Sequence, residues 1–449
     1  MKDNNNTLYI IIIAILVIIL GTLWYLIINN DNSSNNVSNS NISYSNNNSK
    51  SEKSSKSSIT YSAVKEITKD ENITSGDYKS SDADENVIST SGDIEVSLSD
   101  IEVSKTGDSD GGDNTSFYGT NSAIIAKDGA ELTISNVEIN TDATGANGVF
   151  SYGGSATTNN SKSDGTTINI SDSKITTTKG NSGGIMTTGG GITNAKNLTI
   201  TTSGQSSAAI RSDRGGGTVN VDGGTYTTNG VGSPTIYSTA DITVKNATLI
   251  STTSEGAIIE GKNSITLENV KLTDTHTKNV KSKTYKNIFI YQSMSGDAKE
   301  GEATFTSKNS TIITNNGHSF YVSNTSAIIN LENNEIINKD SNGYFLRAQK
   351  DSWGKEGSNG GKVTLNLTNQ DIEGNIGIDE ISSLNMNMVS SSFTGMIDAK
   401  EGNVALKLDK NSKIKLTGDS YITSLENEDS TNSNIDLNGY KLYVNGKEL

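Results

Sequence analysis

A short pattern recurs thirteen times between Ile94 and Leu442: apolar, any, apolar, any, a usually small or polar turn residue, two more, apolar. ITVKNATL (242–249), ITLENVKL (265–272) and INLENNEI (329–336) carry it most cleanly. Residues two apart share one face of a strand, and Asn in the turn slot tolerates the left-handed backbone a corner needs. Each copy reads as strand, corner, strand. The first apolar residues fall at 94, 132, 168, 198, 219, 242, 265, 305, 329, 365, 386, 406 and 435, and steps of 20 to 40 residues are the period of a solenoid, a propeller or an array. Asn fills the turn slot at 136, 246, 269, 309, 333 and 369, joined by Asp172, Gly223 and Gly439, while Leu98, Thr202, Ser390 and Lys410 are exceptions.

Between copies lies a second apolar patch: GVFSY (148–152), GIMTT (184–188), AAIRS (208–212), PTIYS (234–238), GAIIE (256–260), NIFIY (287–291), SFYVS (319–323) and GYFLR (343–347). Each coil thus has two or three strands, and the Thr, Asn and Ser between apolar positions suit a parallel β-helix. About a dozen coils at ~4.8 Å would make a rod of roughly 55–60 Å. With one Pro, 44 Gly, no Cys and 6% aromatics, the chain is poorly equipped for a thick globular core. Stacked coils need only a thin one, so 32% hydrophobic residues are compatible with a stable fold. The lack of Cys removes disulfides and thiolate metal sites.

Residues 8–28, LYIIIIAILVIILGTLWYLII, are apolar nearly throughout. At about 1.5 Å per residue they reach roughly 31 Å, a bilayer core. Asn29, Asn30 and Asp31 follow in place of a small-residue cleavage site, which predicts an uncleaved transmembrane signal anchor. Lys2 precedes the span and the next basic residue is Lys50, placing 1–7 in the cytoplasm and the bulk of the chain outside a cell membrane crossed once. Residues 29–58 are mostly Asn, Ser and Lys and read as a disordered linker, and 59–449 as the β-helix domain. Residues 62–73, with Ala63, Val64, Ile67 and Ile73 at loosely helical spacing, are expected to cover the first coil. At the far end the last strand is expected to be protected by its own charged tail, Lys447 and Glu448, or by a partner.

Stretches such as GDSDGGDNTSFYGTNSAIIAKDGA, NSGGIMTTGGG, SSAAIRSDRGGGTVNVDGGTY and GAIIEGKNSITL make residues 72–449 resemble right-handed parallel β-helix proteins of the pectate-lyase-like superfamily. They are similar in particular to bacterial surface proteins of that shape, adhesin-like or carbohydrate-binding. The resemblance implies an all-β, single-stranded right-handed parallel β-helix (β-solenoid), which the transmembrane helix and disordered linker read above would precede. It implies a ligand on a glycan, host or neighbouring-cell surface. The fold also hosts lyases and glycosidases, and a structural envelope protein without a small ligand is a third reading.

Four excursions leave the coils, at 104–121, 152–166, 274–302 and 349–362, and would form a groove wall if they emerged on one side. The richest charged place is Arg211, Asp213 and Arg214, with Glu260 two copies on. One Asp and one Glu make a poor calcium cage, so these residues point to binding before catalysis. Whether Arg211, Asp213 and Glu260 meet further carboxylates in a cleft separates enzyme from binder. Sugars stack on flat rings beside hydrogen-bonding groups. Tyr152, Tyr237, Tyr291, Tyr321 and Tyr344 fall in the second patch, with Trp353 in a neighbouring loop, and would form a carbohydrate ladder if they shared one outward column. Tyr321 and Phe320 are the pair expected inside the solenoid. Tyr237, Tyr291 and Trp353 join the four charged residues as ligand-binding candidates.

The loop Asp108, Asp110, Asp113 around Gly111 and Gly112 alternates carboxylates as calcium loops do, which makes calcium the one candidate cofactor, although the distal Glu of an EF-hand is missing. No catalytic residue is assigned. His276 and His318 sit in no nucleophile motif. A net charge of −15 disfavours nucleic acid as a partner. GGG (189–191) and RGGGTVN (214–220) read as corners rather than phosphate loops.

Overall fold

A computed structural model describes residues 59–109, 111–155, 162–278 and 284–449; the expected transmembrane span 8–28 and linker 29–58 lie outside the described residues. Among the described residues no helix is long and apolar enough to cross a membrane. Strands follow one another from Ala63 to Glu448, broken by the short helix Asp113–Tyr118.

One turn of the chain runs Ile236–Ser238, Asp241–Lys245 and Thr248–Ser251, and the next repeats it as Ala257–Glu260, Ser264–Glu268 and Lys271–Asp274. The register is in-step and parallel: Ile236 opposite Ala257, Ile242 opposite Ile265, Leu249 opposite Leu272. Each turn therefore has three strands. The first strands of successive turns form a 13-stranded sheet from Ala63–Ile67 to Ile397–Asp398. The second and third strands form the two arms of a 22-stranded sheet, and the third position continues through Asp371–Glu373, Ser392–Gly395, Lys413–Leu416 and Ile435–Asp436. This is a solenoid of stacked parallel strands. Like residues lie over like: Ile242, Ile265, Phe305, Ile329, Leu365, Met386 and Leu406 form one buried file. Every strand contributes only its alternate residues to the core, each worth about 1.5–3 kcal/mol when fully buried.

The corner between the two arms is where the turn slot matters. Asn136, Asn246, Asn269, Asn309, Asn333 and Asn369 all have φ between 47° and 55°, with Asp172 at 48° and Gly223 at 79°. Only short polar side chains or Gly enter this region cheaply. Amides also stack from rung to rung, Asn333 donating to Asn309 at 2.8 Å and Asn269 to Asn246 at 3.2 Å.

Three copies of the pattern shift register. Val96 and Leu98 are the inward residues of Glu95–Ser99, so Asp100, at φ 54°, takes the corner expected at Leu98. The copy read at Leu198 begins at Thr193, because Thr193 and Ala195 fill the inward slots and Asn197 turns the corner at φ 53°; Leu198 and Ile200 belong to the second arm. Ile435 pairs with Ile414 in the third position of the turn, and the second position is Ser424–Asn427. Ser390, an exception by residue type, still turns at φ 48°.

The ends differ from expectation at one side. Residues 62–73 form no helical cap: Ala63–Ile67 and Glu71–Ile73 are strands of the first coil, and Val64, which gave the helical spacing, is exposed. At the far end Lys447–Glu448 folds back antiparallel on Leu442–Val444, and Lys441 pairs with Glu448 at 2.8 Å.

Candidate functional site

The second apolar patches become the 13-stranded sheet, and strand alternation sends every other residue to its outer face. Ile210, Ser212, Ile236 and Ser238 are buried inward, while Arg211 and Tyr237 point out in register with Ile258, Phe289, Tyr321 and Arg347. The neighbouring outward column sets Glu260 beside Tyr291.

Three of the four excursions fold over this same face. Trp353, from the loop after Ala348, packs on Phe289 at 5.5 Å and Tyr291 at 5.1 Å between ring centroids. Phe289 and Tyr291 stack at 4.4 Å and 12°. Tyr321 donates to Asp351 at 2.8 Å and accepts from Gln349 at 2.9 Å. Toward the N-terminal side, the helix Asp113–Tyr118 lies on the sheet: Thr188 donates to the Phe117 carbonyl at 2.8 Å, and Tyr118 meets Tyr152 edge-on at 5.5 Å.

Between these covers sit the charged residues. Arg211 donates to Asp213 at 3.0 Å and to the Ser206 carbonyl at 3.2 Å. The backbone N–H of Arg214 donates to Asp213 at 2.9 Å. The Arg214 guanidinium lies 3.9 Å over the Phe117 ring and donates through Nε and Nη2 to Asp297, at 3.1 and 2.6 Å. One side chain thereby ties the helix to the loop that follows Tyr291. Glu260, 1% exposed, accepts hydroxyl protons from Tyr237, Ser293 and, at 3.2 Å, Tyr291.

Burial is the first cause of each perturbed acidity here. It holds the Glu260 carboxyl above its ordinary range against the opposing hydrogen bonds from Ser293 and Tyr237. Asp213 is raised in the same way, with Arg211 pulling it back and Asp297 pushing it further up. The Tyr237 and Tyr291 phenols are raised by burial and by the Glu260 charge. The Asp297 charge raises both Asp213 and Glu260, and the Asp213 charge raises Glu260.

No family model, curated protein or solved structure matches this chain.

The seven ligand-binding candidates, Arg211, Asp213, Arg214, Tyr237, Glu260, Tyr291 and Trp353, all lie on this face. Asp297, Ser293 and Phe117 complete the cluster and were not singled out in the sequence, although two excursions contain them. Arg214 and Asp297 stand 83 residues apart, beyond any local spacing signal. The tyrosines do not form one ladder: Tyr237 and Tyr321 share one column, whereas Tyr291 lies in the next and Tyr344 precedes its strand. Phe320 is inside, edge-on to Phe305 and Phe345, but Tyr321 points outward and is buried by its covering loop.

Of the three calcium candidates, two fall among the described residues. Asp108 accepts from the Thr144 N–H at 2.6 Å, Asp113 opens the helix, and Asp110 lies outside the described residues. Among the described residues no three His, Cys, Asp or Glu side chains are grouped to hold a metal ion. Elsewhere, shallow grooves of about 380 and 600 Å³ run along the outer faces of the 22-stranded sheet, floored in the first by Asn169, Asn194 and Asn220. They hold neither aromatic rings nor buried carboxylates, so the covered face of the 13-stranded sheet is the better candidate. The glycine runs are corners: Gly189 and Gly190 have φ of 63° and 88°, and a Cβ on Gly217 would stand 2.3 Å from the Gly191 oxygen.

Proposed function

We propose that this chain is a right-handed β-helix of the pectate-lyase-like shape, anchored in a cell membrane by residues 8–28, held outward by 29–58, and displaying a carbohydrate-binding face. The observation that carries the reading is the gathering of Arg211, Asp213, Arg214, Tyr237, Glu260, Tyr291 and Trp353 on one face of one sheet, beneath loops that leave Tyr237, Arg211 and Trp353 only partly buried. Flat rings with hydrogen-bonding carboxylates and guanidiniums between them are the groups a sugar ring meets on both its faces and its hydroxyl rim. A membrane tether and a rigid rod would present such a face to glycans of a host or neighbouring cell. A glycan array probed with the full-length, detergent-solubilised chain should show binding that Tyr237→Ala and Trp353→Ala each reduce at least tenfold. An array without signal, at a concentration where the protein remains folded, removes the reading and leaves the structural role.

One observation favours a second reading. Asp297 supplies a third carboxylate near Asp213 and Glu260, and burial raises both of those, the condition that lets a carboxylic acid serve as general acid in glycoside hydrolysis. New reducing ends or an ultraviolet-absorbing unsaturated product, lost in Glu260→Gln and Arg211→Ala, would make the face an active site.

A further inference from the structure

The two arginines nearest Tyr237 are already matched against carboxylates, and that decides the class of saccharide. Arg211 is paired with Asp213, both side chains about nine-tenths buried, with 11% and 10% exposed. Arg214 is paired through two nitrogens with Asp297. Deeper under the aromatic cover, the Lys286 ammonium lies 4.4 Å over the Phe289 ring and 3.6 Å from Glu255. Arg347 hydrogen-bonds Gln349 and stacks on Tyr344, but it stands four rungs from Tyr237 along the sheet, about 19 Å at strand spacing. The group left without a cationic partner is an acid, Glu260, which is served by three hydroxyls.

We infer that the face around Tyr237 selects neutral, hydroxyl-rich saccharides and discriminates against uronates and other anionic sugars. The inference rests on the carbohydrate-binding reading above and names its ligand class. An incoming carboxylate would have to displace Asp213 or Asp297 from its guanidinium or share that guanidinium with it, placing one more anion in a water-poor site beside Glu260. A hydroxyl needs no such exchange. It donates to the open lone pairs of the carboxylates and accepts from guanidinium N–H groups, since each Arg has five and Arg214 commits two nitrogens to Asp297. Discrimination of this kind comes from groups that repel the wrong ligand as much as from those that hold the right one.

Titration calorimetry on the full-length, solubilised chain tests this with neutral hexose tetrasaccharides and hexuronate tetrasaccharides of matched linkage and length. The expected result is measurable affinity for a neutral series and at least tenfold weaker affinity for its uronate counterpart. In Asp297→Asn, which releases Arg214, the gap should narrow by about tenfold, with thermal unfolding run alongside to show that the variant is folded. Uronates bound as tightly as neutral sugars, or tighter, by the unmodified chain would overturn the inference while sparing carbohydrate binding. Absence of binding to either series would overturn both.

Discussion

Asp274 occupies a position where its neighbours are hydroxyls. In register along the sheet run Thr228, Ser251, Asp274 and Thr314, all fully or nearly fully buried. Ser251 donates to the Ser254 carbonyl at 2.8 Å, whereas neither carboxyl oxygen of Asp274 has a well-aligned donor, the His276 and Asn315 backbone N–H groups giving it only weak support. Burial first, and the Glu255 charge second, hold the Asp274 carboxyl well above its ordinary value near 3.8. A raised acid binds its proton more tightly in the folded chain than in the unfolded one. Stability therefore falls as pH rises from the unfolded value toward the folded one. A buried, unsatisfied polar group costs about 1–3 kcal/mol, so Asp274→Thr, which copies the rungs at Thr228 and Thr314, should stabilise the chain by about that amount at pH 8. The gain should shrink toward pH 4.5, where the unfolded carboxyl also begins to hold its proton. Urea unfolding followed by circular dichroism at the two pH values reads this directly. A variant less stable than the parent at pH 8, or a difference independent of pH, would refute the reasoning.

Other consequences are equally specific. Asn269→Val puts a branched side chain at φ 55°, and should cost about 1–2 kcal/mol, whereas Asn269→Gly should cost much less; thermal unfolding of the pair separates backbone strain from loss of the amide stack. Gly217→Ala drives a Cβ to 2.3 Å from the Gly191 oxygen at φ 148° and should cost more than about 2 kcal/mol by the same measurement. Arg214→Ala removes the tie between the helix Asp113–Tyr118 and the loop around Asp297, so hydrogen exchange should quicken in both segments while strands Asp241–Lys245 and Ser264–Glu268 keep their protection.

The repeat made the architecture readable because one residue type, Asn at a left-handed corner, marks the turn whatever surrounds it. Register slips where an inward residue stops being apolar: Thr193, two before the small Ala195, occupies a core slot that an apolar template passes over, so the copy slides to Leu198 and Ile200. Alternate apolar residues at 94, 96 and 98 allow two registers, and only Asp100 at the corner decides between them. At the candidate site, alternation within a strand was enough to bring Arg211, Tyr237 and Glu260 to one side. Asp297 was hidden because a loop of unpatterned sequence delivers it, and Tyr321 was misplaced because covering loops bury an outward residue as fully as the core buries Phe320.

The central claim, that saccharide binds on the covered face, is tested most directly by the fluorescence of Trp353, which lies against Phe289 and Tyr291 at that face. With Trp24, the other tryptophan, replaced by Phe, Trp353 becomes the single indole reporter. Titration with a saccharide that binds should change its emission saturably, with the same midpoint as calorimetry, and the response should be lost in Tyr237→Ala. Saccharide bound by calorimetry with Trp353 emission unchanged, and with affinity unaffected by Tyr237→Ala, would put the binding site elsewhere on the solenoid and contradict the account.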